Sequence, residues 1–569
     1  MLELAASRIF KEPKTLLRSF AFALAAGASL VLSISAFAET PGVGSPEIKA
    51  GVIKAPIVSN SEVVTDAATP LPAGTPCTVT LFSNFQFVNF NAQYFTYTPS
   101  CPGPWSKVFF NGSFAITPGI QYDRTAEISL GYVNIYFGTT REDDPSFGPT
   151  WNVTRDLTDY TPLFTAAQPG EVDLGNLVNS EYTGVISGTA TLSFYPVPAG
   201  STAPVVADAV YPYPDAPGGA VALDSTTSVL SQTYTFPTNI ESAYLDVLAQ
   251  SQSNDEFWWS CAPNDVAGEL EDCGNTAFRE TEITIDGTPA GVAPVYPWIY
   301  TGGIDPNLWL PIPGVQTLDF LPYRVDLTPF AATLSNGQPH TIGLSVYNAD
   351  DYFAVTATLL VYEDHGSTAV TGATTTNTIG SGPNPVVNEN ITIDSNDIPV
   401  GTIVVTSDRT FTISGYVNTS HGKVTTTLNQ TVNFSNLQNY TDSANLYKQT
   451  TLVNSSKTIT QGNTTQTITT QYTYPLKVTL SLGTASNGDE DETITVQQSY
   501  DTSTEGPGNI STSLTQSFVG ADTQDVITGE DLAQESRYLQ TNTRNNACEQ
   551  KLIQAKNDSV TSAMSGPCK

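Results

Sequence analysis

From Cys77 to the C-terminus the chain is broken by Gly, Pro or Asn about every ten residues, and the runs between the breaks are dense in Val, Ile, Thr, Tyr and Phe. β-Branched and aromatic residues suit a pleated, half-buried surface, and turn formers at that spacing leave room for short strands and little else. The fold class expected is therefore all-β. Asn-Gly or Asp-Gly pairs at 111–112, 286–287, 336–337 and 487–488 mark candidate hairpins, because both central residues of the tightest hairpin turn need positive φ. Helical periodicity is weak everywhere except around residues 530–556.

The N-terminus has its own logic. A basic segment (Arg8, Lys11, Lys14, Arg18) precedes an apolar run over 20–34, and Ala36-Phe37-Ala38 follows as a small-residue cleavage site. This reads as a signal peptide removed near Ala38, which implies a secreted or periplasmic protein. No second long apolar stretch follows, so no membrane anchor is expected. With 55 acidic against 22 basic residues the net charge is −33, which makes nucleic acid and anionic membranes poor partners and suggests tolerance of acid surroundings. The six cysteines fall into three local pairs, Cys77 with Cys101, Cys261 with Cys273 and Cys548 with Cys568, and export favours their being disulfides. The histidines, His340, His365 and His421, are far apart and no C-x-x-C spacing occurs, so neither a metal nor another cofactor is expected.

Composition divides the rest. Residues 1–38 are the leader and 39–72 a Pro/Ala/Val/Gly-rich lead-in or pro-segment. A Pro-rich break at 211–220 separates a β unit over 73–212 from another over 213–368. Past the Gly/Ser/Thr-rich stretch 366–387 tryptophan disappears and Thr, Asn and Ser dominate, giving a C-terminal β domain over 369–569.

The stretch QYDRTAEISLGYVNIYFGTT, residues 121–140, places Asp123 and Arg124 ahead of a strand pattern. Ile128 and Leu130 alternate with polar neighbours, and then the apolar set moves to Val133, Ile135 and Phe137. A strand changes face only through an extra residue, so Gly131-Tyr132 is a candidate β-bulge, a device common beside functional sites. From the residues alone, an Asp-Arg pair at a strand entrance is more often a partly exposed ion pair than a catalytic one.

That stretch resembles the peptide:N-glycosidases, in which an Asp-Arg pair opens such a strand in the first of two jelly-roll domains. Further stretches are similar to the acid glycoamidase branch, the peptide:N-glycosidase A family, itself distantly similar to peptide:N-glycosidase F. They are TWNVTRDLTDYTPLF (150–164), LGNLVNSEYTGVISGTATLSFYP (174–196), NDEFWWS (254–260), AFRETEITIDGTPAG (277–291), PWIYTGGIDPNLWLPI (297–312) and PYRVDLTPFAATLSNGQPHTI (322–342). The resemblance covers roughly residues 77–365 and implies two consecutive antiparallel jelly-roll sandwiches, ahead of the C-terminal β domain that composition and alternation indicate. It also implies hydrolysis of the amide between N-acetylglucosamine and asparagine in N-glycosylated peptides or proteins, leaving aspartate, by a monomer.

On this resemblance Asp123 is the principal carboxylate, and Arg124 orients it or binds substrate through its planar fork of donors. A second carboxylate is needed to divide acid and base work. At the position where the F branch carries a glutamate, between Cys273 and Phe278-Arg279, this chain has Asn275. Two candidates fill the role: Glu256, followed by Phe257, Trp258 and Trp259 in an apolar setting, and Glu280, which shares strand parity with Glu282 on an outward face. Trp258, Trp298 and Trp309 are candidate platforms for sugar rings, and Asp351 is a further substrate-binding candidate. The rival readings are a non-catalytic glycan-binding β-sandwich and a glycoside hydrolase that uses two carboxylates.

The leader and the cysteine pairs generate one expectation. N-terminal sequencing of exported protein should begin at or near Glu39, and thiol titration of the denatured, unreduced chain should find no thiol. A retained leader or two reactive thiols would overturn it.

Overall fold

The computed structural model describes residues 62–63, 71–72, 74–142, 146, 148–393, 398–484, 488–545 and 547–568. The leader, its cleavage site and most of the lead-in lie outside them. Eight strands build the first unit: Cys77–Phe87, Gln93–Tyr97, Trp105–Ile116, Thr125–Leu130, Val133–Thr139, Thr150–Asp156, Gln168–Leu174 and Ile186–Pro196. Numbered in that order, one sheet reads first, eighth, third, sixth and the facing sheet second, seventh, fourth, fifth. This is the strand order of a jelly roll. Glu62–Val63 adds parallel to the sixth strand.

The second unit repeats the plan with Ala209–Tyr213, Leu230–Thr235, Ile240–Gln252, Glu280–Ile285, Thr288–Pro294, Tyr323–Asp326, Pro339–Val346 and Tyr352–Glu363. Its sheets have the same two orders, with Val221–Leu223 also paired to the eighth strand. Ala209–Tyr213 thus belongs to the second unit, and the crossing falls within 197–208, ahead of the Pro-rich break. Pro212 sits on an edge strand bonded only to Tyr352–Glu363, where a missing N–H is tolerated.

An eleven-stranded antiparallel sheet follows, running from Thr371–Asn377 to Ser559–Pro567. From Pro399–Thr419 onward each strand bonds its sequence neighbours as a meander. The region around 530–556 is not helical: it forms Asp531–Arg544 and Ala547–Lys556. Its inward positions are Gln534, Ser536, Tyr538 and Gln540, so polar residues occupy the buried face and mask the period of two.

Hairpin signals divide likewise. Asp286-Gly287 turns between Glu280–Ile285 and Thr288–Pro294 with φ of 51° and 75°. Asn111-Gly112 lies inside the strand Trp105–Ile116, and Asn336-Gly337 links a helical turn, Ala331–Leu334, to Pro339–Val346. At 487–488 only Gly488 is described, and it lies between the paired strands Thr464–Thr484 and Glu490–Gly506. The expected bulge at Gly131-Tyr132 is a tight turn, with φ of 55° and 65°, joining the paired strands Thr125–Leu130 and Val133–Thr139. The bulge sits beside it: register passes from Ile128 opposite Tyr136 to Ser129 opposite Asn134, leaving Ile135 unpaired.

The two jelly rolls join along Val133–Thr139, an edge strand buried along its whole length. Thr139 N–H donates to Thr317 O (2.9 Å) and Phe320 N–H to Phe137 O (2.8 Å), so the 317–320 segment of the second unit covers the open edge. Tyr136 OH adds a bond to Leu318 O at 2.7 Å. A Cβ on Gly138 would collide with Leu318 O, and glycine is what permits this approach.

The C-terminal sheet covers the second jelly roll and shares its core. Trp258 and Phe278 pack on Phe434, Trp309 on Phe518, and Tyr296 on Tyr474 and Tyr500. Glu280 lies in this interface. Expected on an outward face, it is 1% exposed and pairs with Arg409 of the C-terminal sheet, which also holds Glu282 at 2.7 Å. The isoleucines of its strand do face the core of their own unit, but the opposite face is covered by the third.

Burial holds several carboxyls above their ordinary range: Glu127 to about 8, and Asp272, Asp319 and Glu492 to about 7. A group raised on folding contributes stability that is present below its unfolded pKa and lost as pH rises through the folded value. Asp286 and Asp364 are shifted the other way, by hydrogen bonds from His340 and Ser420 respectively, and lose their contribution as pH falls. The raised groups are more numerous and more buried. Thermal unfolding should therefore show a higher midpoint at about pH 5 than at about pH 9; a midpoint that rises over that range would contradict the assignment.

Candidate active site

Equivalent connections of the two jelly rolls meet at one place. In each unit the third strand leads to the fourth, and the fifth to the sixth, through loops at one end of the sandwich. The first unit supplies Asp123 and Glu142 from these loops, and the second supplies Glu256 and the 300–302 segment. Glu142 N–H donates to the Thr301 hydroxyl (2.8 Å), and the Thr301 hydroxyl donates to Thr140 O (3.0 Å), so the seam extends into the site.

Asp123 is held by the backbone N–H of Gly302 and by its own N–H. Burial raises its pKa to about 6 against these lowering bonds. Glu256 is raised further, to about 8, by burial first and then by the negative charges of Asp123 and Glu142. Two carboxyls from different units are thus close enough that one ionised group favours the protonated form of the other. A Cβ on Gly302 would strike Glu142 Oε2 and stand 2.9 Å from Asp123 Oδ1. Tyr300 also feels both Glu256 and Asp123, and its hydroxyl donates to Ser251 O.

Glu256 owes its place to its neighbour. Asp255 is fully buried and ends the turn Ser253–Asp255, from which Glu256 emerges. One carboxylate oxygen accepts from Arg279 Nε (3.0 Å) and Nη2 (2.8 Å). The other accepts the backbone N–H groups of Asp350, Asp351 and Tyr352 at 2.9, 2.8 and 3.1 Å. A buried charge so fully satisfied is a rigid anchor. The Glu256 carboxyl itself makes no hydrogen bond among the described residues, which leaves it available for chemistry.

The remaining expected residues separate. Arg124 does not form an ion pair with Asp123 among the described residues: its guanidinium stacks on Tyr122, lies 5.8 Å from the Tyr182 ring and donates to Gln121 at 3.3 Å. Burial lowers its pKa to about 9, while Tyr182 and Glu142 act to raise it. Asp351 accepts from the Ser253 hydroxyl and from Asn254 N–H (3.4 Å), so it steadies the turn before Glu256. Glu280, tied to Arg409, contributes to neither the Asp123 nor the Glu256 environment. Trp258, Trp298 and Trp309 are 0%, 4% and 1% exposed, so none has a face open to a sugar. Trp258 and Trp309 pack on Phe434 and Phe518 of the C-terminal sheet, and Trp298 on Tyr296 and Phe320 of its own unit.

Glu142 and Gly302 are the site residues that sequence reasoning missed. Glu142 stands in an unpatterned loop, Arg-Glu-Asp-Asp, that resembles a solvated turn. The glycine pair in YTGGID carried a signal of close approach that was open to reading. Three disulfides are formed, Cys77–Cys101, Cys261–Cys273 and Cys548–Cys568. The second closes the loop that follows Glu256. No helix among the described residues is long and apolar enough to cross a membrane.

Comparison with known proteins places the chain in a family. Residues 65–379 match the family described as peptide N-acetyl-β-D-glucosaminyl asparaginase amidase A, and residues 402–476 match the PNGase A C-terminal domain. Peptide-N4-(N-acetyl-β-glucosaminyl)asparagine amidase A of Prunus dulcis is 30% identical over 389 residues, spanning 64% of this chain and 67% of that protein. Among solved structures, PNGase F, a glycosylasparaginase from Flavobacterium meningosepticum, aligns at TM-score 0.35 and 14% identity over 51% of this chain and 96% of its own. PNGF-II aligns at TM-score 0.36 and 12% identity over 51% and 65%. With more than half its length matched in order, spanning both jelly rolls and the loops that bring Asp123 and Glu256 together, the chain belongs to the peptide N-acetyl-β-D-glucosaminyl asparaginase amidase A family.

Proposed function

We propose that this chain hydrolyses the amide joining N-acetylglucosamine to asparagine in N-glycosylated peptides or proteins. The observation that carries the reading is the pairing of Asp123 and Glu256, two carboxyls whose environments set their pKa values apart, in a chain of this family. Near neutral pH Asp123 is ionised and Glu256 protonated. Asp123 takes a proton from water as its oxygen adds to the asparagine side-chain carbonyl carbon. Glu256 gives its proton to the nitrogen as the carbon–nitrogen bond breaks. The products are aspartate and the glycosylamine, and the two side chains return to their starting states after exchanging one proton through solvent.

The other residues have supporting roles. Gly302 N–H keeps Asp123 ionisable in a half-buried place, Glu142 biases Glu256 toward its acid form, and the Arg124 guanidinium partly offsets the accumulated negative charge. The reading includes export, which rests on the leader sequence, and action as a monomer, which rests on both carboxyls coming from one chain.

Product analysis tests the chemistry. A glycopeptide treated in heavy-oxygen water should end with aspartate carrying one heavy oxygen. Asparagine still bearing sugar would identify a glycoside hydrolase, and unchanged glycopeptide a binder.

The geometry divides the variants. Asp123→Asn and Glu256→Gln should each lower kcat by about 100-fold or more, as loss of a general acid or base does, while Glu280→Gln stays near wild type. A folded Asp123→Asn protein with full activity would end the assignment. For the wild type, the raised pKa values put the active window between about 6 and about 8, with the acid limb belonging to Asp123 and the alkaline limb to Glu256. Activity that climbs steadily to pH 9 or above would exclude Glu256 as the acid.

Gly302→Ala gives a second test. The atoms nearest the added methyl are carboxyl atoms of Glu142 and Asp123, so unfolding should change little while kcat/KM falls about 100-fold from misplacement. Activity within a small factor of wild type would show that the carboxyl cluster tolerates rearrangement.

A further inference from the structure

Beside Glu256 the structure has a cleft of about 340 Å³ that the bond-breaking step does not use, a size typical of small-ligand sites. One wall continues the turn that carries Glu256, through Phe257 and Trp259. Asp272, on the loop closed by Cys261–Cys273, forms another, and Ile304, two residues beyond Gly302, a third. The floor is Tyr447 and Leu480 of the C-terminal sheet. Both second-unit loops of the active site therefore run into the cleft, and the C-terminal sheet completes it.

The lining has a specific chemistry. Phe257, Ile304 and Leu480 offer partly exposed apolar surface. Asp272 Oδ1 accepts from the Ser260 hydroxyl (2.8 Å) and the Cys273 N–H (3.0 Å), while its other oxygen accepts no hydrogen bond among the described residues. The Trp259 side chain is 3% exposed, and its indole N–H is buried without an acceptor among the described residues. No lysine or arginine lines the cleft, so an anion has no counter-charge there. Glu271 and Asp350 also line the cleft, but no group of carboxyls that could hold a metal ion occurs among the described residues, and burial raises the Asp272 pKa to about 7, which suits hydrogen bonding to a neutral hydroxyl. Apolar surface for one face of a pyranose, with the Asp272 carboxyl and the exposed Asn254 amide for its hydroxyls, is the complement of a neutral sugar.

We propose that this cleft binds a neutral sugar residue of the substrate's oligosaccharide, beyond the N-acetylglucosamine joined to asparagine, and that the C-terminal sheet contributes its floor. The proposal rests on the glycoamidase reading and adds a function for the third unit. Asp272 and Leu480 are specificity residues that do not touch the reacting atoms.

The test compares Asp272→Asn and Leu480→Gln with wild type on two glycopeptides of identical peptide sequence. One carries a single N-acetylglucosamine and the other a branched high-mannose oligosaccharide. Both variants should lose about tenfold in kcat/KM on the branched substrate, through KM, and be unchanged on the single-sugar substrate. Calorimetric binding of the free high-mannose oligosaccharide to the Asp123→Asn protein should weaken by a similar factor when Asp272→Asn is added. Equal loss on both glycopeptides, or no loss on either, would overturn the proposal while leaving the glycoamidase reading intact. Oligosaccharide binding that depends on Asp272 in a protein that cleaves neither glycopeptide would support the cleft and overturn the glycoamidase reading.

Discussion

The site exists because one edge strand of the first jelly roll is completed by the second. Val133–Thr139 would otherwise present unpaired N–H and C=O groups, and the 317–320 segment satisfies them through the bonds between Thr139 and Thr317 and between Phe320 and Phe137. The same seam continues through Thr140, Thr301 and Glu142 to the carboxyl cluster. Two sandwiches with the same strand order meet so that equivalent loops face each other. A carboxyl from each can then share one low-dielectric environment, which neither unit provides alone.

Two further interactions fix the second unit's contribution. Asp255, saturated by Arg279 and three backbone N–H groups, holds the turn that presents Glu256, whose own carboxyl makes no hydrogen bond among the described residues. The long irregular loops on either side of that site need their backbone groups satisfied as well, and amide side chains of the C-terminal sheet do much of this. Asn436 donates to Trp259 O (2.8 Å), Gln438 to Cys261 O (3.0 Å), Gln498 to Pro297 O (2.7 Å) and Gln534 to Leu310 O (2.6 Å). The third unit is thereby a scaffold for the loops that carry the chemistry. Its inward face mixes glutamines and tyrosines with aliphatic residues such as Val405, Val478 and Val496 because it packs on backbone as well as on side chains.

The sequence was legible where local rules decide. Strand content, the three disulfide pairs and the Asp286-Gly287 turn follow from residue type and spacing, and Glu256 followed by aromatic residues announced a carboxyl in apolar surroundings. It misled where a distant segment supplies the environment. Glu280 has the parity of an outward residue, and no local pattern reveals that Arg409, 129 residues away, covers it. The three tryptophans stand in the sequence as candidate sugar platforms, and only the packing of Trp258 and Trp309 on the C-terminal sheet and of Trp298 on Phe320 shows them as core. The inward glutamines hid the strands at 531–556 for the same reason. Glu142 is the sharpest case: its importance lies wholly in the proximity of Asp123 and Glu256, which the seam between units creates.

The claim on which the account turns is that Glu256 is a neutral acid beside an ionised Asp123. Infrared difference spectroscopy of wild type against Glu256→Gln at about pH 7 measures this directly, since protonated and ionised carboxyls absorb in separate regions. The account predicts that the substitution removes a protonated carboxyl band and leaves the carboxylate region nearly unchanged. Loss of a carboxylate band instead, with no protonated band missing, would show Glu256 ionised at neutral pH and contradict the division of acid and base between the two jelly rolls.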